Sequence, residues 1–269
     1  MSDLKMLSSN ALAPNILAPS VLAFDTSTDV MSIAVGKALG SASEQVWAHT
    51  GPGAAQSSSS LLPAIQALMA QAGLTFAALD AIAFGAGPGS FTGLRTSCAV
   101  AQGLGFASGR PVLGIDSLMA VAEEARAQMG WPESAAVLAM LDARMDEMYT
   151  GYYRFNSKQW LSDIPKRLVK PEDLTDAGSW TPAGNVFANY GHRMPAHATA
   201  LQSVVALPTA AAMLRLAPAF LAAGHATPAT LARPVYVRDK VAQTTEERAV
   251  LRAAAEAASA AATAATQTP

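Results

Sequence analysis

The sequence is poor in cysteine, in net charge and in long hydrophobic runs. Cys98 is the single cysteine among 269 residues, which excludes an internal disulfide and agrees with a reducing compartment. Lys and Arg number 18 against 20 Asp and Glu, so no positive field draws the chain to nucleic acid. No apolar run near its beginning approaches the roughly 18 residues of a membrane span. We therefore expect a cytoplasmic protein that makes no membrane contact and reaches RNA only through a partner.

Both ends of the chain lack the pattern of packed structure. Residues 1–18 contain one lysine and a proline at position 14, and we expect a flexible leader there. Residues 244–269 are nearly all alanine after Arg252, with too few large apolar side chains to dock firmly, so we expect a disordered tail. The length between them suits about two domains, predicted at 19–116 and 117–243. The last helix of the second domain is a candidate to pack back on the first.

Strand and helix patterns alternate along the middle of the chain. "VLAFD", "VMSIAVG" and "EQVWAHT" predict three meandering strands, with a turn at Thr26–Asp29. Alternating helices and strands follow: a helix over Ser60–Ala72, the strand "LDAIAFGAG", a helix over Phe91–Ser108 and the strand "PVLGID". Three meander strands followed by alternating helices and strands are the order of a ribonuclease H-like unit.

The second half repeats this beginning. "AAVLAMLDARMDEMYTGYYRF" has the same strand, Asp, polar turn and strand as "SVLAFDTSTDVMSIAVG", which puts Asp142 in the place of Asp25. Two such α/β units, each presenting an Asp toward a shared cleft, predict the architecture of the actin-like ATPases. Ligands in such sheets bind at the carboxyl ends of the strands.

Seven glycines fall between Ala83 and Gly109, in "AFGAGPGSFTGLRTSCAVAQGLGFASG". The segment matches neither the dinucleotide fingerprint nor the Walker loop, because it has the wrong glycine spacing for the first and no lysine for the second. A glycine loop before a helix can bind an anion. The alternative is structural: the glycines before Ser90 permit a tight turn and the later ones let another helix approach.

Groups that would bind a metal or act as a nucleophile are scarce. The four histidines, His49, His192, His197 and His225, form no i, i+4 helical pair, and Cys98 lies in an Ala- and Gly-rich helix that favours a packing role. Asp25 and Asp142 are the candidates to hold Mg²⁺ through water, but the sequence after Asp25 is "TST", without the glycine of active actin-like kinases.

Four blocks resemble the bacterial TsaB (YeaZ) family in order and spacing, over roughly Val21 to Ala242. They are "ILAPSVLAFDTSTDVMSIAV", "FGAGPGSFTGLRTSCAVAQGLGFASGRPVLGIDSLMAVA", "MLDARMDEMYTGYY" and "RPVYVRDKVA". The resemblance implies two ribonuclease H-like domains and a role in tRNA threonylcarbamoyladenosine synthesis as the partner of the catalytic subunit TsaD, together with the ATPase TsaE. The threonylcarbamoyl-AMP donor would come from TsaC. It also implies a homodimer when TsaD is absent.

The paralogue TsaD supplies the alternative, a metal- or ATP-dependent enzyme such as an M22-like peptidase or a kinase. TsaD carries a metal-binding H-x-x-x-H after the strand that corresponds to "PVLGI", and this chain has Ser117 and Val121 near those places. We therefore expect no catalytic residues, no metal and no cofactor in this chain. Whether a nucleotide binds at the interface of the complex stays an open question at this point.

Two sets of site residues follow from the resemblance. One is a vestigial nucleotide cleft, formed by Asp25, Thr26, Ser27, Gly87, Gly89, Ser90 and Asp142. The other is the partner interface, since in the family the two helices meet the matching pair of TsaD as a four-helix bundle; its candidates are Leu61, Ile65, Leu68, Met69, Arg95, Val100, Gly103 and Leu104. Arg95 has two further interpretations, a solvated charge in the first helical turn or a contact to a phosphate.

Overall fold

The computed structural model describes residues 17–175, 178–199 and 202–237. The predicted tail and all but the last two residues of the predicted leader lie outside these ranges. The strands are β1 Val21–Asp25, β2 Val30–Lys37, β3 Gln45–Pro52, β4 Ala81–Gly87, β5 Val112–Asp116, β6 Ser134–Arg144, β7 Glu147–Asn156, β8 Gln159–Val169, β9 Thr181–Gly184 and β10 Val204–Val205. The α-helices are α1 Ser57–Gln71, α2 Phe91–Ser108, α3 Ser117–Gln128, α4 Phe187–Tyr190, α5 Ala196–Thr199 and α6 Ala210–Ala222.

The strands form two five-stranded sheets of the same topology. In the first sheet the order is β3-β2-β1-β4-β5, with β1 to β3 antiparallel and β1, β4 and β5 parallel. In the second sheet β6, β7, β8, β9 and β10 take the places of β1 to β5 in turn, with the same strand directions. The predicted repeat and the ribonuclease H-like, actin-like α/β fold are confirmed.

The central strands form where the apolar runs are continuous. All five residues of β1 and all seven of β4 are buried, as expected for strands covered on both faces. Helix α2 begins where the Ser90 side chain accepts from the Gly93 N–H and ends at Gly109, whose φ of 68° suits a glycine C-cap. The bounds of β1 and α2 are those that the sequence predicts.

Helices cover both faces of the first sheet. Helices α1 and α2 pack side by side on one face, over Phe24, Ile33 and Phe84. Helix α6 packs on the other face, and α3 lies against both sheets, since Ala120 joins the core under α6 and Val121 joins the core of the second sheet. Helix α6 therefore packs on the first sheet, although it follows the strands of the second sheet in the chain. The domain boundaries at 116 and 243 stay predictions.

Asp116 links the two sheets at the end of β5. One carboxylate oxygen caps α3 through the Leu118 N–H at 3.0 Å. The other accepts from the Tyr153 hydroxyl at 2.6 Å and from Lys166 Nζ at 2.8 Å, on β7 and β8. A charged capping residue thereby ties the second sheet to the first. Within the described residues, no helix has the length and apolarity to cross a bilayer.

Candidate functional site

Asp25 ends β1 in a buried position, as a side chain at the carboxyl end of a central strand. It is 1% exposed. One oxygen accepts from the Ser27 N–H at 2.7 Å and the Ser27 hydroxyl at 2.6 Å, and the other accepts from the Ser117 hydroxyl at 3.0 Å. Burial raises the pKa of Asp25 to about 6, because desolvation of the carboxylate outweighs these hydrogen bonds. The carboxyl group is held by serines of its own chain.

The glycine-rich loop lies directly on the residues that follow Asp25. The Ser90 N–H donates to the Ser27 carbonyl at 2.7 Å, and the Thr26 hydroxyl donates to the Gly93 carbonyl at 2.7 Å. A Cβ added at Gly93 would collide with the Thr26 carbonyl, and one at Gly89 would lie 2.5 Å from Ser27 Cβ. These glycines allow the turn after β1 and the start of α2 to approach each other.

The structure brings together six of the seven cleft candidates and places the seventh on the second sheet. Asp25, Thr26, Ser27, Gly89 and Ser90 are in the contacts just described. Gly87 is next to them, with a φ of 113°, and a Cβ there would lie 2.5 Å from the Val235 carbonyl oxygen. Val235 itself donates its N–H to the Ala86 carbonyl at 2.6 Å, so the segment "RPVYV" passes over this loop.

Asp142 occupies the equivalent place in the second sheet but has different partners. It accepts from the Arg144 N–H at 2.8 Å and the Tyr190 hydroxyl at 3.0 Å, and its other oxygen lies 3.7 Å from the Arg144 guanidinium. Arg144 also pairs with Asp29, in the turn between β1 and β2. This exposed ion pair joins the Asp-containing turns of the two sheets.

The two residues at the places of the TsaD histidines, Ser117 and Val121, are used for hydrogen bonding and for core packing. Ser117 is fully buried and donates to Asp25, and Val121 is part of the core between α3 and the second sheet. Cys98 is buried in the first core, and burial raises the pKa of its thiol. Across the ranges that the structure describes, no group of three or more His, Cys, Asp or Glu is placed to hold a metal ion.

The predicted interface residues separate into two groups. Leu61, Ile65, Leu68 and Met69 are buried in the core under α1, so their side chains do not form an outer surface. This corrects their assignment, because the apolar stripe of α1 is used by the chain's own sheet. Val100 and Leu104 are half-buried against the same core. Gly103 is exposed, and a Cβ there would meet nothing within 4 Å.

Arg95 is held by aromatic residues at the exposed start of α2. Its guanidinium carbon lies 3.9 Å from the centre of the Phe91 ring, and its Nε donates to the Tyr236 hydroxyl at 3.3 Å. The Phe91 and Tyr236 rings are themselves 5.4 Å apart. The arginine is therefore exposed but fixed in direction, which suits a contact to an oxyanion, either a partner's carboxylate or a phosphate, better than the role of a freely solvated charge.

Three exposed apolar residues, on α1, on α2 and in the segment "RPVYV", were not predicted. Phe106 on α2 is 80% exposed, Leu62 on α1 is 41% exposed and Tyr236 is 45% exposed. Leu62 and Phe106 each follow a buried position of their helix, Leu61 and Gly105, and so lie off the core-facing stripe. An apolar residue outside the buried stripe of a helix indicates an exposed apolar surface, and the sequence contains this signal at both positions.

Known proteins similar to this chain agree with the fold. A family model described as "TsaD: tRNA N6-adenosine threonylcarbamoyltransferase" matches residues 52–268. The tRNA threonylcarbamoyladenosine biosynthesis protein TsaB of Escherichia coli is 31% identical over 82% of this chain and 95% of its own length. The protein of the same name from Haemophilus influenzae is 33% identical over 82% of this chain and 94% of its own length.

A solved structure agrees as well. The structure of YeaZ from Pseudomonas aeruginosa superposes with a TM-score of 0.70 at 33% identity, covering 81% of this chain and 99% of that one. The chain belongs to the TsaB (YeaZ) family of tRNA threonylcarbamoyladenosine biosynthesis proteins.

Proposed function

We propose that the chain is a non-catalytic cytoplasmic subunit that pairs with TsaD. The pair, acting with TsaE, transfers the threonylcarbamoyl group from threonylcarbamoyl-AMP to the adenosine next to the tRNA anticodon. The observation that carries the proposal is the outer surface of α1 and α2. There Gly103 leaves open space beside the exposed Phe106, which lies one turn further along α2, and Leu62 is exposed on α1, while the inner surface of both helices is packed on the core.

This outer surface has the properties of a protein interface. It combines exposed apolar side chains with a glycine that lets a second helix approach closely, and a fixed arginine lies at one end. An interface of ordinary size buries about 800 Å² per partner, which two helices of 15 and 18 residues can provide. The partner presents its own equivalent helix pair. In the absence of TsaD, a second copy of this chain takes that place.

The non-catalytic part of the proposal is supported by the surroundings of Asp25. Its two carboxylate oxygens accept from three donors of the same chain, and the N–H of Ser90 is taken by the Ser27 carbonyl. The chain needs no cofactor of its own for the proposed role, and TsaD supplies the tRNA contacts because this chain has a net charge of -2.

A reconstituted transfer assay tests the proposal. Threonylcarbamoyl-AMP and unmodified tRNA are incubated with this chain alone, with TsaD and TsaE, and with all three proteins. We expect modified tRNA only in the complete mixture. Turnover by this chain alone that survives purification would contradict the non-catalytic role, and its loss on chelation or its dependence on added ATP would favour the alternative, a metal- or ATP-dependent enzyme. Equal turnover without this chain would contradict the role of an essential subunit.

A further inference from the structure

A cavity of about 440 Å³ lies between α3, the hairpin of β7 and β8, and α6. Helices α1 and α2 cover one face of the first sheet and α6 covers the opposite face, so the cavity beside α6 lies on the side away from α1 and α2. Its volume falls within the usual range of about 300–1,000 Å³ for small-molecule sites. The cavity is therefore separate from the proposed partner surface and from the residues around Asp25.

The wall of the cavity combines aromatic rings with cationic side chains. Phe155 and Trp160 line it from the hairpin, with ring centres 5.1 Å apart, and Phe220 lines it from α6. Arg126, Lys158 and Arg215 also line it, from three different elements. Flat apolar walls with a few convergent charged groups are typical of sites that orient a small ligand.

Glu123 holds this wall in place. It is 2% exposed, and its two oxygens accept from Arg126 Nε at 2.8 Å and Nη2 at 2.9 Å, from Arg215 Nε at 2.8 Å and from the Trp160 indole at 3.0 Å. Burial opposes its ionisation, but these hydrogen bonds keep the pKa of Glu123 below its usual value. One buried carboxylate thus fixes the direction of two guanidinium groups and one indole.

The charge around the cavity stays positive after these pairings. Arg215 Nη2 pairs with Glu124 at 2.8 Å, which leaves three cationic side chains against the carboxylates of Glu123 and Glu124. A partly buried ion cluster of this kind, built around the buried Glu123, adds little stability compared with apolar packing of the same volume. Its presence beside an open aromatic cavity favours a role in recognition.

We infer that this cavity binds a small organic anion that carries an oxyanion group on a flat hydrophobic body. Lys158 would hold the oxyanion, assisted by the guanidinium N–H groups that remain after Arg126 and Arg215 have donated to Glu123, Glu124 and the Trp131 carbonyl. Trp160 and Phe220 would contact the ring. A carboxylate and a phosphate monoester share this chemistry, and Arg and Lys bind both.

Calorimetric titration of the full chain tests the assignment with indole-3-acetate and AMP as the two anions. Indole-3-acetamide and adenosine serve as their neutral counterparts. We expect saturable binding of at least one anion, at least about tenfold tighter than its neutral counterpart. Binding of indole-3-acetate alone assigns a carboxylate ligand, and binding of AMP alone assigns a phosphate ligand.

Two alanines of α6 provide a matched pair of variants. Ala219 lines the cavity, whereas Ala222 is exposed on the same helix and does not. Ala219→Trp should fill the cavity and weaken binding about tenfold or more, and Ala222→Trp should leave it within about twofold. Lys158→Gln provides a second arm that leaves the cavity open, with Lys37→Gln as its control, and it should weaken binding of the anion but not of the neutral compound.

Three results would overturn the inference. These are the absence of saturable binding for both anions up to about 10 mM, equal binding of the neutral compounds, and binding that both Ala219→Trp and Lys158→Gln leave unchanged. Thermal melts of all four variants confirm that they are folded. None of these results depends on pairing with TsaD.

Discussion

The two sides of helix α2 use glycine for opposite purposes. Toward the core, Gly93 and Gly105 are each tightly surrounded. A Cβ at Gly93 would collide with the Thr26 carbonyl, and one at Gly105 would lie 2.9 Å from Ala229 Cβ. Toward the outside, Gly103 has nothing within 4 Å of its Cβ position. The inner glycines therefore serve the chain's own fold, and the outer one leaves room that the isolated chain does not use.

The largest effect is expected at Gly93. Replacement by Ala places a methyl group against the backbone of the turn after β1, which has no flexible side chain to move away. We expect Gly93→Ala to lower the free energy of unfolding by about 3 kcal/mol or more. Denaturant unfolding measures it, with Gly103→Ala as the control in the same helix. If the two variants are equally stable, the inner contact is not as close as described.

The next effect concerns Asp25, which directly precedes the turn that Gly93 contacts. The pKa of Asp25 is raised from an ordinary value of 3.8 to about 6, so the folded state binds its proton more tightly than the unfolded state. This group therefore contributes stability at pH 4 that is lost as the pH rises through 6, by about 2–3 kcal/mol for a shift of this size.

Asp25→Asn isolates that contribution, since asparagine cannot ionise. Between pH 4 and pH 7, the unfolding free energy of the original chain should fall by about 2–3 kcal/mol relative to that of Asp25→Asn. Denaturant unfolding at several pH values measures it. A difference that does not change with pH would mean that Asp25 titrates alike in the folded and unfolded chains.

A smaller loss is expected at Gly105. An added methyl group would lie 2.9 Å from Ala229 Cβ and 3.0 Å from both Val112 Cγ1 and the Arg110 carbonyl oxygen, so a helix shift of a few tenths of an ångström would relieve contacts much less severe than that at Gly93. We expect Gly105→Ala to destabilise the chain by about 1 kcal/mol after the gain in helix propensity is included. The same unfolding experiment measures it, and a loss as large as that of Gly93→Ala would show that the end of α2 is as tightly held as its beginning.

The smallest effect has the opposite sign. Because Gly103 is exposed within the helix and its φ is not in the left-handed region, Gly103→Ala should stabilise the isolated chain by about 0.5–1 kcal/mol. A shift of the thermal midpoint to higher temperature would be the observed sign. Destabilisation would instead mean that this position contacts the chain's own fold.

The fold was predictable where the sequence carries strong local signals. The buried run of β1, the serine cap of α2 and the glycine at its end define these elements to the residue. Strand β8 is harder to predict, because Gln159–Val169 is an edge strand with many exposed positions and contains Pro165. Edge strands lack the continuous apolar run that identified β1.

The site was predictable only in part. The Asp and glycine motifs identified the residues around Asp25, but the sequence does not show that Ser90 and Gly93 hydrogen-bond to the turn after β1. On α1, one apolar stripe had to be assigned either to the core or to a partner, and the sheet buries it. Glu123, Trp160 and Arg215 are far apart in the chain, so no motif reveals their cluster.

Sedimentation of this chain with TsaD tests the central claim most directly, namely that the outer surface of α2 binds the partner subunit. The original chain and Gly103→Ala should sediment with TsaD as a heterodimer. Gly103→Leu should sediment separately from TsaD while keeping the thermal midpoint of a folded chain, because the larger side chain holds the partner helix away. Undiminished association of a folded Gly103→Leu variant would contradict the account.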